Sequence, residues 1–396
     1  MRVIRGAIAL VLALTGCGDD ATAPAPNAGT VPLTVERMVA TACVRGSCQA
    51  SLVVRYWKDE WDTHAIRRTV RFVEVSPTEH TIEVTDEAGA PATLELESGR
   101  PVTLTVVNPG DGRSSGGHYF TAPVLYRSVA WRKAETGDAE YKAPHFDAFR
   151  VLRRDGTDNE VELYFVPMSA GTFSVYCEDG VTNGGAYAGI VSGASTPDLA
   201  TGHAGLGMQA TVRVTGDLGA WTDGGLAPRL EPEIYPDRLA ALDADPRRSE
   251  SDPVWADGTR DETYRTPPIE AVEVSDTELA FVPANLNLTL GRGYVLAVQA
   301  AAANMRGHYY TAPDFFVRTV LRKAADSHAD IHASYLTAVE VAIGRSTELY
   351  LVPVEVGRFE PYCQIGVRTH TDGWPVLTTG HAGLGMVGSI TVRPPP

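Results

Sequence analysis

Basic residues, cysteines and long apolar runs are all scarce in this chain of 396 residues. Lysine and arginine number 34 against 49 acidic residues, for a formal charge of −15. Because nucleic-acid binding needs clustered positive charge, we expect no nucleic-acid partner and expect basic partners instead. No stretch of the chain reaches the roughly 20 apolar residues of a bilayer span. The 44% of hydrophobic residues is sufficient for packed cores and excludes general disorder.

The first residues have the pattern of a targeting segment. Arg2 and Arg5 precede a short apolar run over 7–14, and the sequence LTGC then ends at Cys17. This pattern resembles the lipobox of bacterial lipoproteins, which implies cleavage before Cys17 and a lipid on its sulfur. The alternative is a plain secretory signal with an incidental cysteine. The resemblance implies a lipid-anchored protein of the bacterial envelope, and Gly18 favours the outer membrane, facing the periplasm or the cell surface.

The four other cysteines fall into two pairs. Cys43 and Cys48 lie close together in CVRGSC, and in an oxidising envelope compartment we predict a small disulfide between them. Cys177 and Cys363 occupy equivalent positions in two repeats. A disulfide between these two is an alternative, and we disfavour it because each has its own histidine and methionine nearby.

An octapeptide, TGHAGLGM, occurs twice, at 201–208 and at 379–386. Upstream of each copy stands a strand-like run that ends in a cysteine, and before that a second shared segment, GHYFTAP at 117–123 or GHYYTAP at 307–313. The order His, Cys, His, Met is therefore repeated. Two imidazoles, one thiolate and a weak axial thioether are the donors of a type 1 copper site. Two such sets in register are a stronger signal than one.

These motifs resemble the cupredoxins. The resemblance implies an all-β chain with two tandem Greek-key β-sandwich domains, and one mononuclear copper ion in each. We also predict a short helical insertion in each domain, over 125–135 and 317–330. The implied ligands are His118, Cys177, His203 and axial Met208 in the first domain, and His308, Cys363, His381 and axial Met386 in the second.

The repeats and the composition also predict where the domains lie. The successive segments are a signal peptide with lipobox (1–17), a flexible tether (18–32), an N-terminal extension with the disulfide (33–71), a first cupredoxin domain (72–215), a charged and proline-rich linker (216–270) and a second cupredoxin domain (271–396).

Two features depart from related copper proteins. The loops 178–202 and 364–380, between each cysteine and the next histidine, are longer than in most cupredoxins. The chain also has no HxH motif and no histidine beside either cysteine, as coupled type 2 or trinuclear copper centres would require. His328 and His332 are four residues apart in a helical stretch and have no counterpart in the first repeat, so we expect them to be solvent-exposed rather than metal ligands.

These observations favour one-electron transfer, with a basic cytochrome or another copper protein as the redox partner. A copper carrier or storage lipoprotein needs the same ligands and is the alternative. An atypical two-domain copper oxidoreductase is a third hypothesis, and the missing histidine pairs disfavour it.

Overall fold

The computed structural model describes residues 34–44, 47–55, 58–112, 114, 116–126, 128–143, 146–167, 169–182, 197–216, 265–275, 277–333, 335–369 and 375–396, with side chains from residue 61 onward. The predicted signal peptide, its Cys17 and the tether lie outside these residues, as does most of the predicted linker. No helix in the described part of the chain is long and apolar enough to cross a membrane.

The first half of the chain consists mainly of strands. They are β1 (Thr34–Val44), β2 (Ser47–Arg55), β3 (Ile66–Ser76), β4 (Glu79–Thr85), β5 (Leu94–Glu97), β6 (Val102–Asn108), β7 (His118–Thr121), β8 (Val129–Glu135), β9 (Ala139–Lys142), β10 (Phe146–Val151), β11 (Asn159–Pro167), β12 (Gly171–Tyr176) and β13 (Gln209–Thr215). Strands β1 and β2 form a separate hairpin in which Cys43 and Cys48 are opposite each other. The disulfide between these two residues stays a prediction.

The second half repeats this pattern after the predicted linker. Its strands are β14 (Ile269–Ser275), β15 (Glu278–Val282), β16 (Asn285–Thr289), β17 (Tyr294–Ala300), β18 (His308–Thr311), β19 (Thr319–Ala325), β20 (Ala329–Ala333), β21 (Ala338–Val341), β22 (Ser346–Pro353), β23 (Gly357–Phe359), β24 (Arg368–Thr369), β25 (Pro375–Val376) and β26 (Ser389–Arg393). The proposed domain boundaries stay a prediction; the boundary at 71/72 falls within β3.

The helices of the described residues are short. They are α1 (Lys58–His64), α2 (Pro123–Tyr126), α3 (Gly202–Gly205), α4 (Pro313–Phe316) and α5 (Gly380–Gly383). The helices predicted over 125–135 and 317–330 are wrong in extent. The first candidate begins in the one-turn helix α2 and continues as strand β8, whereas the second begins just after the one-turn helix α4 and continues as strand β19. Both strands have neighbours on either side, and this tertiary pairing overrides the helical spacing of their apolar residues.

Each domain is a β-sandwich, as predicted. Successive strands pass from one layer to the other, as from β4 to β5 and from β6 to β7. Parallel pairs between β3 and β6, and between β14 and β17, recur at equivalent places in the two domains. The prediction of an all-β chain with two sandwich domains is therefore confirmed.

Two of the sheets extend through both domains. Within the described residues, one has the order β15-β14-β17-β22-β19-β20-β10-β7-β12-β13-β5 and the other β18-β21-β9-β8-β11-β6-β3-β4. The domains join where β10 pairs with β20 and where β9 pairs with β21, both antiparallel. Because β9 and β20 are equivalent in the two repeats, as are β10 and β21, the junction has an approximate two-fold symmetry. The apolar interior is correspondingly continuous, and one cluster of buried residues includes side chains from both domains.

Candidate metal centres

Two groups of metal-binding side chains lie at equivalent places in the two domains. Site 1 contains His118, Cys177 and His203, and site 2 contains His308, Cys363 and His381. Within each group, one potential ligand atom from each residue lies within 4.8 Å of the others. The structure therefore brings together the histidines and cysteines that the repeated motifs singled out, and separates them into two sets.

The ring nitrogens in both sites face the sulfur. In site 1, Cys177 Sγ lies 3.8 Å from His118 Nδ1 and 3.6 Å from His203 Nδ1. In site 2, the distances from Cys363 Sγ to Nδ1 are 3.9 Å for His308 and 3.5 Å for His381. The same nitrogen of each imidazole thus points to a common centre. The separate surroundings of the two cysteines contradict the alternative of a disulfide between them, and both are free thiols.

Neighbouring strands place the first histidine and the cysteine of each site together. His118 begins β7, while Cys177 directly follows β12, and the two strands are neighbours in one sheet. In the second domain, His308 begins β18, and a bridge between Thr311 and Tyr362 brings Cys363 alongside. His118, His308 and both cysteines are at most 1% exposed. The sheet therefore fixes two ligands of each site deep in the protein.

The second histidine of each site is on the one-turn helix of the octapeptide. His203 N–H donates to Asp179 O and His381 N–H donates to Ile365 O, both at 2.9 Å. These bonds join each helix to the residues that follow the cysteine. Gly380, the first residue of α5, has a φ of +57°, and a Cβ atom on it would lie 2.3 Å from the backbone carbonyl carbon of Gly366. Glycine is required because the chain is left-handed and in close backbone contact.

The long loops between cysteine and histidine do not prevent the ligands from converging. Each loop is closed at its base, where Thr182 N–H donates to Thr201 Oγ1 and Arg368 N–H donates to Thr379 Oγ1. In the second domain, β24 and β25 pair immediately beyond this base. Residues 183–196 and 370–374 of these loops lie outside the described residues. In both loops, the residues on either side of the extra length are therefore joined by a hydrogen bond.

Met208 and Met386 are fully buried in the same apolar cluster as the two cysteines. The carbonyl of Met208 accepts a hydrogen bond from Cys177 N–H, and that of Met386 accepts one from Cys363 N–H, each at 3.0 Å. Each methionine is thus adjacent to its cysteine across the backbone. Their role as axial ligands stays a prediction.

Each deeply buried histidine has a glutamate on its far side. His308 Nε2 lies 2.9 Å from Glu273 Oε1 in hydrogen-bond geometry, while His118 Nε2 lies 3.0 Å from Glu74 Oε1 in a poorer alignment. A carboxylate at Nε2 favours the tautomer with its proton there, which leaves the Nδ1 lone pair for a metal. Both glutamates were missed in the sequence, although VEVS-x-TE occurs at 73–79 and at 272–278 and could have revealed them.

In the absence of a metal ion, burial determines the protonation state of the candidate ligands. It raises the pKa of Cys177 to about 12 and that of Cys363 to about 11, although two backbone amides on each sulfur oppose the shift. Burial also lowers the pKa of His118 to about 4, with His203 adding to the shift and Glu74 opposing it. Burial likewise lowers the pKa of His308 and His381, so His118, His308 and His381 are neutral and available as ligands at neutral pH. The thiols need a metal ion to ionise.

The two sites differ in the residue beside the second histidine. His80 is buried, and its ring packs edge-on against His203 with 4.8 Å between ring centres. Its backbone N–H donates to Leu206 O, just as Leu279 N–H donates to Leu384 O in the second domain. The sequence indicated no partner for His80. Site 1 therefore has a third imidazole where site 2 has the apolar Leu279.

The histidine pair His328 and His332 lies away from both candidate metal centres. His332 is on β20 and only 8% exposed, so the expectation of a solvent-exposed residue on a helix is wrong for it. Its ring is 6.0 Å from that of Tyr119, in the other domain. His328 precedes the same strand, with Nε2 3.7 Å from Asp138 Oδ1. Both belong to the junction between the domains, which the sequence alone did not predict.

No protein-family model and no curated protein matches the chain. Among solved structures, the chain is similar to reduced rusticyanin, with 18% identity and a TM-score of 0.21 over 41% of this chain and 84% of rusticyanin. It is similar to a copper-containing nitrite reductase from Thermus scotoductus SA-01, with 12% identity and a TM-score of 0.21 over 83% of this chain and 61% of that one. A multicopper oxidase from Campylobacter jejuni has 9% identity and a TM-score of 0.25 over 82% of this chain and 91% of its own. The strand arrangement of this chain is cupredoxin-like, and its two His/Cys/His groups fit two type 1-like sites.

Proposed function

We propose that this chain is a copper protein with one mononuclear type 1-like site in each domain, and that it carries out one-electron transfer. The convergence of two Nδ1 atoms on a buried thiol, repeated in both domains, is the observation that carries the proposal. Mixed imidazole and thiolate donors suit copper, and a methionine beside the cysteine is typical of electron-transfer sites.

The donor set fits copper in its ionisation as well as its geometry. His118, Cys177 and His203 would hold the ion in site 1, and the equivalent residues would hold it in site 2. Copper supplies a couple between two oxidation states that differ by one electron. Burial lowers the pKa of His118, His308 and His381, so these imidazoles lose no proton when a metal binds at neutral pH, whereas the thiol must lose its proton. Glu74 and Glu273 keep the two buried rings oriented for this role.

The protein surroundings favour electron transfer over turnover of a substrate. Three of the four residues proposed for each site are almost completely buried and are held by sheet pairing or by backbone hydrogen bonds. Ligands on such elements keep their geometry when the charge of the site changes, since the scaffold is already organised. The second histidine is the exception, and the side chain of His203 is 23% exposed. His203 is therefore the residue through which the ligands of site 1 reach the surface.

The copper-loaded full-length chain can be tested by visible absorption and electron paramagnetic resonance spectroscopy. We expect a strong thiolate-to-copper charge-transfer band that Cys177→Ser and Cys363→Ser each reduce to about half, with copper retained through repeated reduction and oxidation. Copper binding without this band would contradict the type 1 assignment. Rapid transfer of reduced copper to an acceptor would instead support a carrier function.

The cellular setting is part of the proposal. The lipobox-like LTGC supports a lipid anchor at Cys17 in the bacterial envelope, and the net charge of −15 supports a basic cytochrome or another copper protein as the redox partner. Metabolic labelling with a fatty acid tests the anchor, because Cys17→Ser should abolish incorporation. Salt-dependent association with a basic cytochrome tests the partner, since attraction between opposite charges weakens with ionic strength.

A further inference from the structure

A tyrosine that follows the first ligand histidine links each site to the other domain. Side chains alternate along a strand, so Tyr309 points away from site 2 while His308 points into it. The Tyr309 hydroxyl donates to Glu140 Oε1 at 2.7 Å. Lys142 Nζ lies 4.5 Å from the centre of the Tyr309 ring. Glu140 and Lys142 are both on β9, in the first domain.

Glu140 is a firmly held acceptor for this hydrogen bond. Its side chain is 14% exposed, and Lys133 Nζ and Lys142 Nζ lie 2.7 and 3.3 Å from its two oxygens. Burial acts to raise the pKa of Glu140, but the two lysines outweigh burial and lower the pKa overall. The carboxylate is therefore ionised at neutral pH, and a charged acceptor makes a stronger hydrogen bond than a neutral one.

The backbone of the same tyrosine contacts the sulfur of site 2. The Tyr309 amide donates to Cys363, as the Tyr119 amide donates to Cys177 Sγ at 3.3 Å in site 1. Hydrogen bonds around the cysteine sulfur tune the electronic properties of a copper–thiolate centre. Tyr309 thus connects a residue of one domain to the sulfur of the other, with its hydroxyl at one end and its amide at the other.

We propose that Glu140 of the first domain is a positioning residue for the copper site of the second. By holding the Tyr309 side chain, it fixes the Tyr309 amide against Cys363, so that the geometry of site 2 depends on the junction between the domains. The inference deepens the proposed function and rests on it where copper is concerned. The arrangement of Glu140, Tyr309 and Cys363 exists without the metal and can be tested separately.

Site 1 provides a matched comparison within the chain. Tyr119 is held through its ring, with the guanidinium of Arg150 5.4 Å and the ring of His332 6.0 Å from its centre. The second domain contributes Asp330, whose carboxylate lies 3.5 Å from the guanidinium of Arg150. Removal of the hydroxyl should therefore loosen Tyr309 and leave Tyr119 in place.

The test uses the full chain with Glu140→Gln and, separately, Tyr309→Phe. Glu135→Gln is the matched carboxylate control, because Glu135 pairs with Lys133 as Glu140 does. Tyr119→Phe is the matched tyrosine control. Hydrogen exchange of the metal-free protein reports on the Tyr309 amide. The charge-transfer band of the copper-loaded protein reports on site 2 alone in a Cys177→Ser background.

We expect Tyr309→Phe and Glu140→Gln each to speed exchange of the Tyr309 amide by about ten- to a hundredfold, the usual worth of a hydrogen bond to a charged group. Both should shift the site 2 band, and the two controls should change neither measurement. Exchange that stays at the parental rate in Tyr309→Phe would overturn the positioning role, whatever the copper content. If the unaltered protein takes up no copper, the proposed function fails, while exchange at Tyr309 still decides this inference.

Discussion

Replacement of Glu273 by glutamine should weaken copper binding at site 2. Glu273 Oε1 lies 2.9 Å from His308 Nε2, and Glu273 Oε2 accepts the Met305 amide at 3.0 Å. Burial acts to raise the pKa of Glu273, but the Met305 amide and His308 lower it overall, so the carboxylate is ionised at neutral pH. Glutamine retains one accepting oxygen for two donors and loses the charge.

The size of this effect follows from the role of the carboxylate. Loss of a partner that orients a ligand histidine typically costs about 10- to 100-fold in metal affinity, equivalent to roughly 1.4–2.7 kcal/mol. We expect this loss for Glu273→Gln, and a smaller one for Glu74→Gln, because His118 Nε2 is less well aligned with Glu74. The difference between the two sites is itself a prediction.

Competitive copper titration against a chelator measures this loss. Site 2 is isolated in a Cys177→Ser background and site 1 in a Cys363→Ser background. Glu278→Gln is the control, since Glu278 is an exposed carboxylate near Glu273 and changes the net charge equally. An affinity within about twofold of the parent for Glu273→Gln would refute the reasoning, because a ligand-orienting partner cannot be removed at so small a cost.

Three further predictions concern the metal-free protein and are measured by chemical denaturation. Gly380→Ala should lower the free energy of unfolding by at least about 2 kcal/mol, because its Cβ would meet the backbone of Gly366. Gly291→Ala is the control and should lower the free energy of unfolding less, because Gly291 also has a positive φ but no atom stands where its Cβ would be. Burial lowers the pKa of His332 from 6.5 to about 4, so its contribution to the free energy of unfolding should be full above pH 6.5 and fall as the pH drops to 4, by at most about 3 kcal/mol. His332→Gln should flatten this pH dependence, and an unchanged slope would contradict the lowered pKa of His332. Trp61→Phe should cost about 1–3 kcal/mol, since it leaves a buried threonine hydroxyl without the indole N–H that lies 2.9 Å away; no loss would show that the hydroxyl finds another partner.

The ligand sets could be predicted because chemistry and duplication point to the same residues. His118 and His308 lie 59 and 55 positions before their cysteines, yet each stands in a segment repeated almost letter for letter. The spacing alone would not have identified them. The loops 178–202 and 364–380 made the geometry uncertain in the sequence, and the structure resolves this by closing each loop at its base.

Other features depend on contacts that a single chain's periodicity does not encode. The segment 129–135 has apolar residues at helical spacing, but it forms β8 because β9 and β11 pair with its two edges. Glu74 and Glu273 looked like ordinary polar positions on strands. They acquire a role only when a neighbouring strand brings a histidine to within 3.0 Å. The junction of β9 and β10 with β21 and β20 likewise has no local signal.

The shared sheets join the two domains through continuous strand pairing. Loss of the second domain would leave β9 and β10 as unpaired edges, with backbone donors and acceptors open to strands of other chains. Half of the molecule would therefore tend to aggregate or to associate with itself. For the intact chain, we expect a single cooperative unfolding transition instead of two, because neither sandwich can open without breaking the ladders that it shares with the other.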